Sequence, residues 1–191
     1  MSVKILHVVA HQQGQNQLCG DVTNAFVQAY TNEKVYAIAG LEFGLESVDK
    51  IVIIRKALYG LVSSSKRWHS HFADTLRGLD FVPTRSDADV WIRLDKDKKA
   101  YEYICTHVDD FKIVAKLPAA IMKDLQDIYT INEELIVEPD YYLGNDYKKD
   151  KKGRWCIGCK KYLKEAVLRV EKMYSKTLKK FLVPMTSSDH P

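Results

Sequence analysis

Two adjacent aspartates, Asp109 and Asp110, interrupt an apolar, β-branched stretch in THVDDFKIV (106–114). Two like charges about 4 Å apart repel by roughly 4 kcal/mol at an effective dielectric near 20. A buried strand does not hold such a pair without compensation. Either the pair caps a solvated turn, or it is a hard-oxygen site for a divalent cation, for which Mg²⁺ or Mn²⁺ is the natural occupant. A third carboxylate on its own apolar segment favours the second reading. Asp21, at the end of QLCGDV (17–22), is that residue.

These residues need elements to hold them. NQLCGDV (16–22) reads as a short strand closing in a Gly20–Asp21 turn, followed by a short helical or irregular segment in TNAFVQAY. EKVYAIAG (33–40) and KIVIIRK (50–56) read as strands. Apolar residues Trp68, Phe72, Leu76 and Leu79 recur every three or four positions in SSSKRWHSHFADTLRGLDF (63–81), which predicts a serine-capped amphipathic helix ending near Gly78. DADVWIRLD (87–95) predicts a strand and DKDKK (95–99) a polar turn. AYEYICTHV (100–108) and FKIVAK (111–116) form two arms of a hairpin with both aspartates at its tip.

Further along, PAAIMKDLQDIY (118–129) reads as a helix with Pro118 in its first turn. YYLGNDYKKDKKGRWCIGC (141–159) predicts a second hairpin. KKYLKEAVLRVEKMYSKTLKKFL (160–182) predicts an amphipathic helix whose apolar side, Leu163, Val167, Val170, Tyr174, Leu178 and Phe181, docks on the body. At the other end, Val3, Ile5, Leu6, Val9 and Ala10 suit the inner face of a helix. The mixture predicts an α+β fold with an antiparallel sheet flanked by helices.

Composition narrows the class. The chain of 191 residues is 46% hydrophobic and 28% charged, the profile of a folded protein, and no apolar run reaches the ~18 residues of a membrane span. The N-terminus lacks a small-residue cleavage site, and four irregularly spaced cysteines argue against a disulfide framework, so an intracellular location is expected. Cys156 and Cys159 form a lone C-x-x-C without a second pair, which reads as hairpin cysteines rather than zinc ligands. His69 and His71, two apart on a helix, face different ways and make no metal pair.

The net charge of +4 is unevenly spread. Residues 145–181 hold thirteen Lys or Arg against four Asp or Glu, and the remainder sixteen against twenty-one. A basic module thus follows a mildly acidic body; such an excess marks either a solvated face or a polyanion partner.

GDVTNAFVQA, KALYGLVSSSKRWHSHFADTLRGLDF, SDADVWIR, YICTHVDDF and YYLGNDY occur in an order that resembles the reverse transcriptases of copia-type LTR retrotransposons, in the subgroup whose first motif reads Gly-Asp-Val. The resemblance covers nearly the whole chain. It implies an RNA-directed DNA polymerase: a polymerase palm (1–144) with partial fingers inserted at about 30–60, then the basic hairpin and helix of 145–191 as the start of a thumb. It further implies Asp21, Asp109 and Asp110 as catalytic residues holding two Mg²⁺ (or Mn²⁺) ions, with Val22 contributing its carbonyl.

By the same resemblance Phe26 is the steric gate against ribonucleotides, and Tyr59 and Gly60 contact the nucleotide. His107, where the family commonly has tyrosine, and the Leu143–Gly144 turn meet the primer, and Lys148, Lys149, Lys160, Lys161 and Lys164 the template–primer. The implied partners are a primed RNA or DNA template and deoxynucleoside triphosphates. Upstream fingers and a downstream RNase H domain of a longer polyprotein are expected as well, with no membrane. The rival readings are a catalytically silent fragment that binds nucleic acid through its basic tail, and an unrelated α+β metal-binding domain.

Overall fold

The computed structural model describes residues 2–97 and 99–179. The chain divides into two compact units, 1–139 and 140–191.

The first unit is organised around a five-stranded antiparallel sheet. Its strands are β1 (Asn16–Asp21), β4 (Val82–Pro83), β5 (Val90–Leu94), β6 (Tyr101–His107) and β7 (Asp110–Ala115), in the order β1-β7-β6-β5-β4. β7 lies in the interior of the sheet, and Phe111 to Ala115 are all buried, which explains the near-continuous apolar run around the two aspartates. One face is covered by α2 (Ala25–Gln28), α3 (Ser64–Gly78) and α4 (Pro118–Gln126). There Trp68, Phe72, Leu76, Ile121 and Leu125 pack with Phe111, Ile113 and Ile104. Leu6 and Ala10 of α1 (Ser2–Gln12) cover the other face over Val90, Cys105 and Val114. Within α1 the expected inner face is rotated: Ile5 is exposed and His7 is buried in its place. Burial and the nearby Lys112 push the His7 imidazole down to about 3.

β2 (Tyr30–Ile38) and β3 (Ile51–Lys56) pair separately as a two-stranded antiparallel ribbon. In the second unit β8 (Tyr141–Tyr142), β9 (Asn145–Lys149) and β10 (Trp155–Gly158) form a three-stranded antiparallel sheet, followed by α5 (Lys160–Tyr174). No described helix is long and apolar enough to cross a membrane.

The structure departs from the sequence reading at several points. β1 runs straight through Gly20 and Asp21, so Gly20 is not a turn residue. A Cβ there would come within 2.5 Å of Cζ of Phe111, its partner across the sheet, and the glycine makes room for that ring. Ser63 does not cap α3 with its side chain. Its backbone is already helical (φ −85°, ψ −10°) rather than extended, and Ser64 Oγ instead donates back to Leu58 O at 2.6 Å.

The C-terminal helix is shorter than its apolar spacing predicts. Ser175 takes a left-handed conformation (φ +50°), and the Lys176 amide donates to Glu171 O. The Glu171 carboxylate then accepts from the Leu178 amide at 2.7 Å, turning the chain out of the helix before Leu178. Along α5 no residue is buried, and Leu163, Val167, Val170 and Tyr174 are exposed. Phe181 and Lys180 lie outside the described residues.

Candidate active site

Strand register brings the aspartates together. In the β1–β7 pairing Asp21 stands directly opposite Asp110, and in the β6–β7 pairing His107 stands opposite Asp110 from the other side. Asp21, Asp110 and His107 therefore form one row at the end of the sheet. Asp109 sits beside them in the two-residue turn Val108–Asp109, while Asp110 already opens β7, so only one of the two aspartates occupies the tip.

Backbone bonds tie the three positions to each other and to the body. The Val22 amide donates to Asp109 O at 3.0 Å, and the Asn132 amide donates to Asp21 O at 3.0 Å. Val22 itself is buried with its side chain in the core.

Electrostatics mark the row as strained. The Asp21 carboxyl is held above the usual carboxylate range, first by desolvation and then by the charge of Asp109. The Asp110 carboxyl is raised by desolvation and by both Asp109 and Asp21, and the nearby His107 opposes that rise. Carboxylates that raise one another in this way are stabilised by a positive charge placed among them. Their oxygens are the hard donors a divalent cation takes. The donor chemistry fits Mg²⁺ or Mn²⁺. Among the described residues, however, no three acidic, His or Cys side chains are gathered closely enough to cage an ion.

The other residues singled out by sequence fall into two groups. Phe26, in α2, is packed partly against the core, and its ring centre lies 4.7 Å from that of Tyr59 with the planes 44° apart. Tyr59 is exposed, and Gly60 beside it adopts φ +96°, open to glycine alone without strain. The structure thus joins Phe26, Tyr59 and Gly60 into one cluster.

The remaining residues singled out by sequence belong to the second unit. Leu143 (φ +46°) and Gly144 (φ +77°) make the tight β8–β9 turn, closed by Asn145 Nδ2 donating to Leu143 O at 2.9 Å. Lys148 and Lys149 lie on β9, with Lys149 Nζ 4.7 Å from the Trp155 ring centre. Lys160, Lys161 and Lys164 lie on α5, with Lys161 Nζ 4.2 Å from the ring centre of Tyr141. Cys156 and Cys159 are free thiols. In the first unit, His69 pairs with Asp89 at 2.8 Å, and His71 packs edge-on against Tyr129, so the two histidines do face apart.

Sequence reading treats two residues of this region only as filler. Trp68 appears as one of four apolar helix positions, yet its indole N–H donates to the carbonyl of Val108 at 2.5 Å. Lys112 passes as part of a strand, yet it is fully buried, donates to Val3 O at 3.3 Å, and is pushed down to about 8 by desolvation. The signal for Trp68 lies in residue type, since tryptophan is the one apolar side chain of that stripe carrying a strong hydrogen-bond donor.

An antiparallel sheet with helices on both faces and an acidic row at one end makes this an α+β domain. A family model described as reverse transcriptase (RNA-dependent DNA polymerase) matches residues 1–180, and the chain belongs to that family. Among curated proteins it is similar to two retrovirus-related Pol polyproteins of Arabidopsis thaliana. It is 26% identical to that from transposon RE1 over 176 residues and 25% identical to that from transposon RE2 over 171. In both cases the match covers 88% of this chain and 11% of the relative, so the chain spans about one ninth of the length of these polyproteins.

Proposed function

We propose that the chain is the catalytic core of a copia-type retrotransposon reverse transcriptase, an RNA-directed DNA polymerase that adds deoxynucleotides to a primer 3′-hydroxyl. The observation that carries this reading is the row in which Asp21 faces Asp110 across paired strands, with Asp109 in the adjoining turn. The five-stranded sheet with its helices serves as the palm, the β2–β3 ribbon as part of the fingers, and the second unit as the start of the thumb. Further fingers and an RNase H domain belong to the longer polyprotein.

Asp21, Asp109 and Asp110 would hold two Mg²⁺ or Mn²⁺ ions, with the Val22 carbonyl as an additional oxygen. When bound, the ions activate the primer hydroxyl and neutralise the triphosphate and departing pyrophosphate. The chain's own contribution is position and charge, as expected for phosphoryl transfer. The strand pairing fixes two carboxylates opposite each other, and the Val22 amide fixes the third through Asp109 O.

Phe26, braced by Tyr59, presents a ring that excludes a ribose 2′-hydroxyl, and the exposed Tyr59 with Gly60 offers a face to the nucleotide. His107, paired directly opposite Asp110, would meet the primer end at the row. In the second unit, the Leu143–Gly144 turn and Lys148, Lys149, Lys160, Lys161 and Lys164 hold the primed template through its phosphates.

Calorimetric titration with a deoxynucleoside triphosphate in Mg²⁺ tests the assignment. The protein is expected to bind it, and Asp109→Asn to weaken binding without loss of fold. Equal binding by the variant, or none by the parent, overturns the assignment.

A further inference from the structure

We infer that Trp68 is a positioning residue for the aspartate turn: its indole N–H locks the peptide that carries Asp109. The inference rests on the polymerase reading only for what the turn does, not for how it is held.

Val108 has φ +58°, whereas Asp109 is not among the described residues with positive φ. That combination is characteristic of a type II′ turn, whose first central position favours glycine. A β-branched residue there is strained, because its Cβ crowds the backbone in the left-handed region. A turn of this type relaxes by rotating its central peptide, and that peptide is the one between Val108 and Asp109.

Its carbonyl is the atom that Trp68 Nε1 grips at 2.5 Å. On the other side of the same residue, the carbonyl of Asp109 accepts from the Val22 amide at 3.0 Å. Two successive carbonyls are thus pinned from different elements, α3 and the end of β1.

The donor is itself fixed. Trp68 is 1% exposed, stacked on Phe72 (centres 5.2 Å apart, planes 13°) and edge-on to Tyr129 at 5.4 Å. It cannot follow the turn if the peptide rotates, so the bond opposes rotation. Trp68 touches no reacting group; it acts through Val108 on the direction in which Asp109 leaves the backbone.

The test combines indole hydrogen exchange with Mn²⁺ binding measured by water-proton relaxation. Of the three tryptophans, Trp68 is expected to show a strongly protected indole proton. Trp68→Phe is expected to weaken Mn²⁺ binding about 10-fold, the scale of losing a group that orients a metal ligand. Adding Val108→Gly should restore most of it, because glycine holds the left-handed conformation unaided.

Should Trp68→Phe fail to fold, replacing the indole by benzothiophene, which keeps the shape and removes the N–H, gives the same comparison. An unprotected indole proton, undiminished Mn²⁺ binding without the N–H, or no rescue by Val108→Gly overturns the inference. A parent protein that binds no Mn²⁺ counts against the polymerase reading instead, and indole exchange then decides the clamp by itself.

Discussion

Gly20→Ala gives the sharpest structural prediction. The added Cβ would lie 2.5 Å from Phe111 Cζ, 3.0 Å from Cε1 and 3.1 Å from Met122 Cε. Carbon atoms in comfortable contact stand about 3.5–4.0 Å apart, so the ring must retreat by about 1 Å. Phe111 is fully buried in a core cluster with Phe72, Met122 and Ile121. Overpacking of this kind costs about 1–3 kcal/mol. Removing glycine from a strand interior offsets about 0.5–1 kcal/mol of that.

The net loss of up to about 2.5 kcal/mol lowers Tm by up to about 10 °C in a chain of this size. Urea and thermal unfolding followed through Trp68 and Trp91 fluorescence reads it directly. Phe111→Leu removes the clashing ring atoms, so Gly20→Ala made in that background should be neutral or stabilising. The difference between the two backgrounds is the coupling energy. Gly20→Ala melting above the parent temperature, or having the same effect in both backgrounds, refutes the packing explanation of Gly20.

The aspartate row predicts an unusual pH and cation dependence. Asp21 and Asp110 are held above their ordinary range, so in the native state they keep protons that the unfolded chain has lost, and stability falls as pH rises from about 4 through the raised values. Asp110→Asn should therefore raise Tm at pH 7 but not below pH 4, and Mg²⁺ should stabilise the parent at pH 7 only; a stabilising effect equal at both pH values contradicts this. Phe26→Ala should let ribonucleotides compete with deoxynucleotides in primer extension while Mn²⁺ affinity stays unchanged, and unaltered sugar discrimination returns Phe26 to a packing role. Replacing Lys148, Lys149, Lys160 and Lys164 by alanine should flatten the salt dependence of RNA–DNA hybrid binding by up to about four units of log–log slope. An unchanged slope means those lysines are only a solvated face.

Much of the site was legible in the sequence because it is local. Apolar, β-branched runs on each side of Asp109–Asp110 mark a hairpin, and a two-residue turn leaves little freedom in where its carboxylates go. The meeting of Asp21 with Asp110 was expected from the resemblance and from strand ends; the register that puts them opposite each other needed the structure. What stayed hidden depends on contacts distant in sequence. The reason for Gly20 is a ring 91 positions away, and Trp68 reaches a carbonyl 40 positions away. The early end of α5 is hidden differently. Its apolar spacing continues past Tyr174, but the Glu171 carboxylate and a left-handed Ser175 close the helix, and spacing does not encode that competition.

The most direct test of polymerase function is extension of a DNA primer annealed to an RNA template, with Mg²⁺ and deoxynucleotides, by the parent protein and by Asp109→Asn side by side. Template-directed addition by the parent, lost in the variant while hybrid binding is retained, is the predicted result. Equal extension by both proteins, or tight hybrid binding by the parent with no nucleotide added in either Mg²⁺ or Mn²⁺, would contradict it.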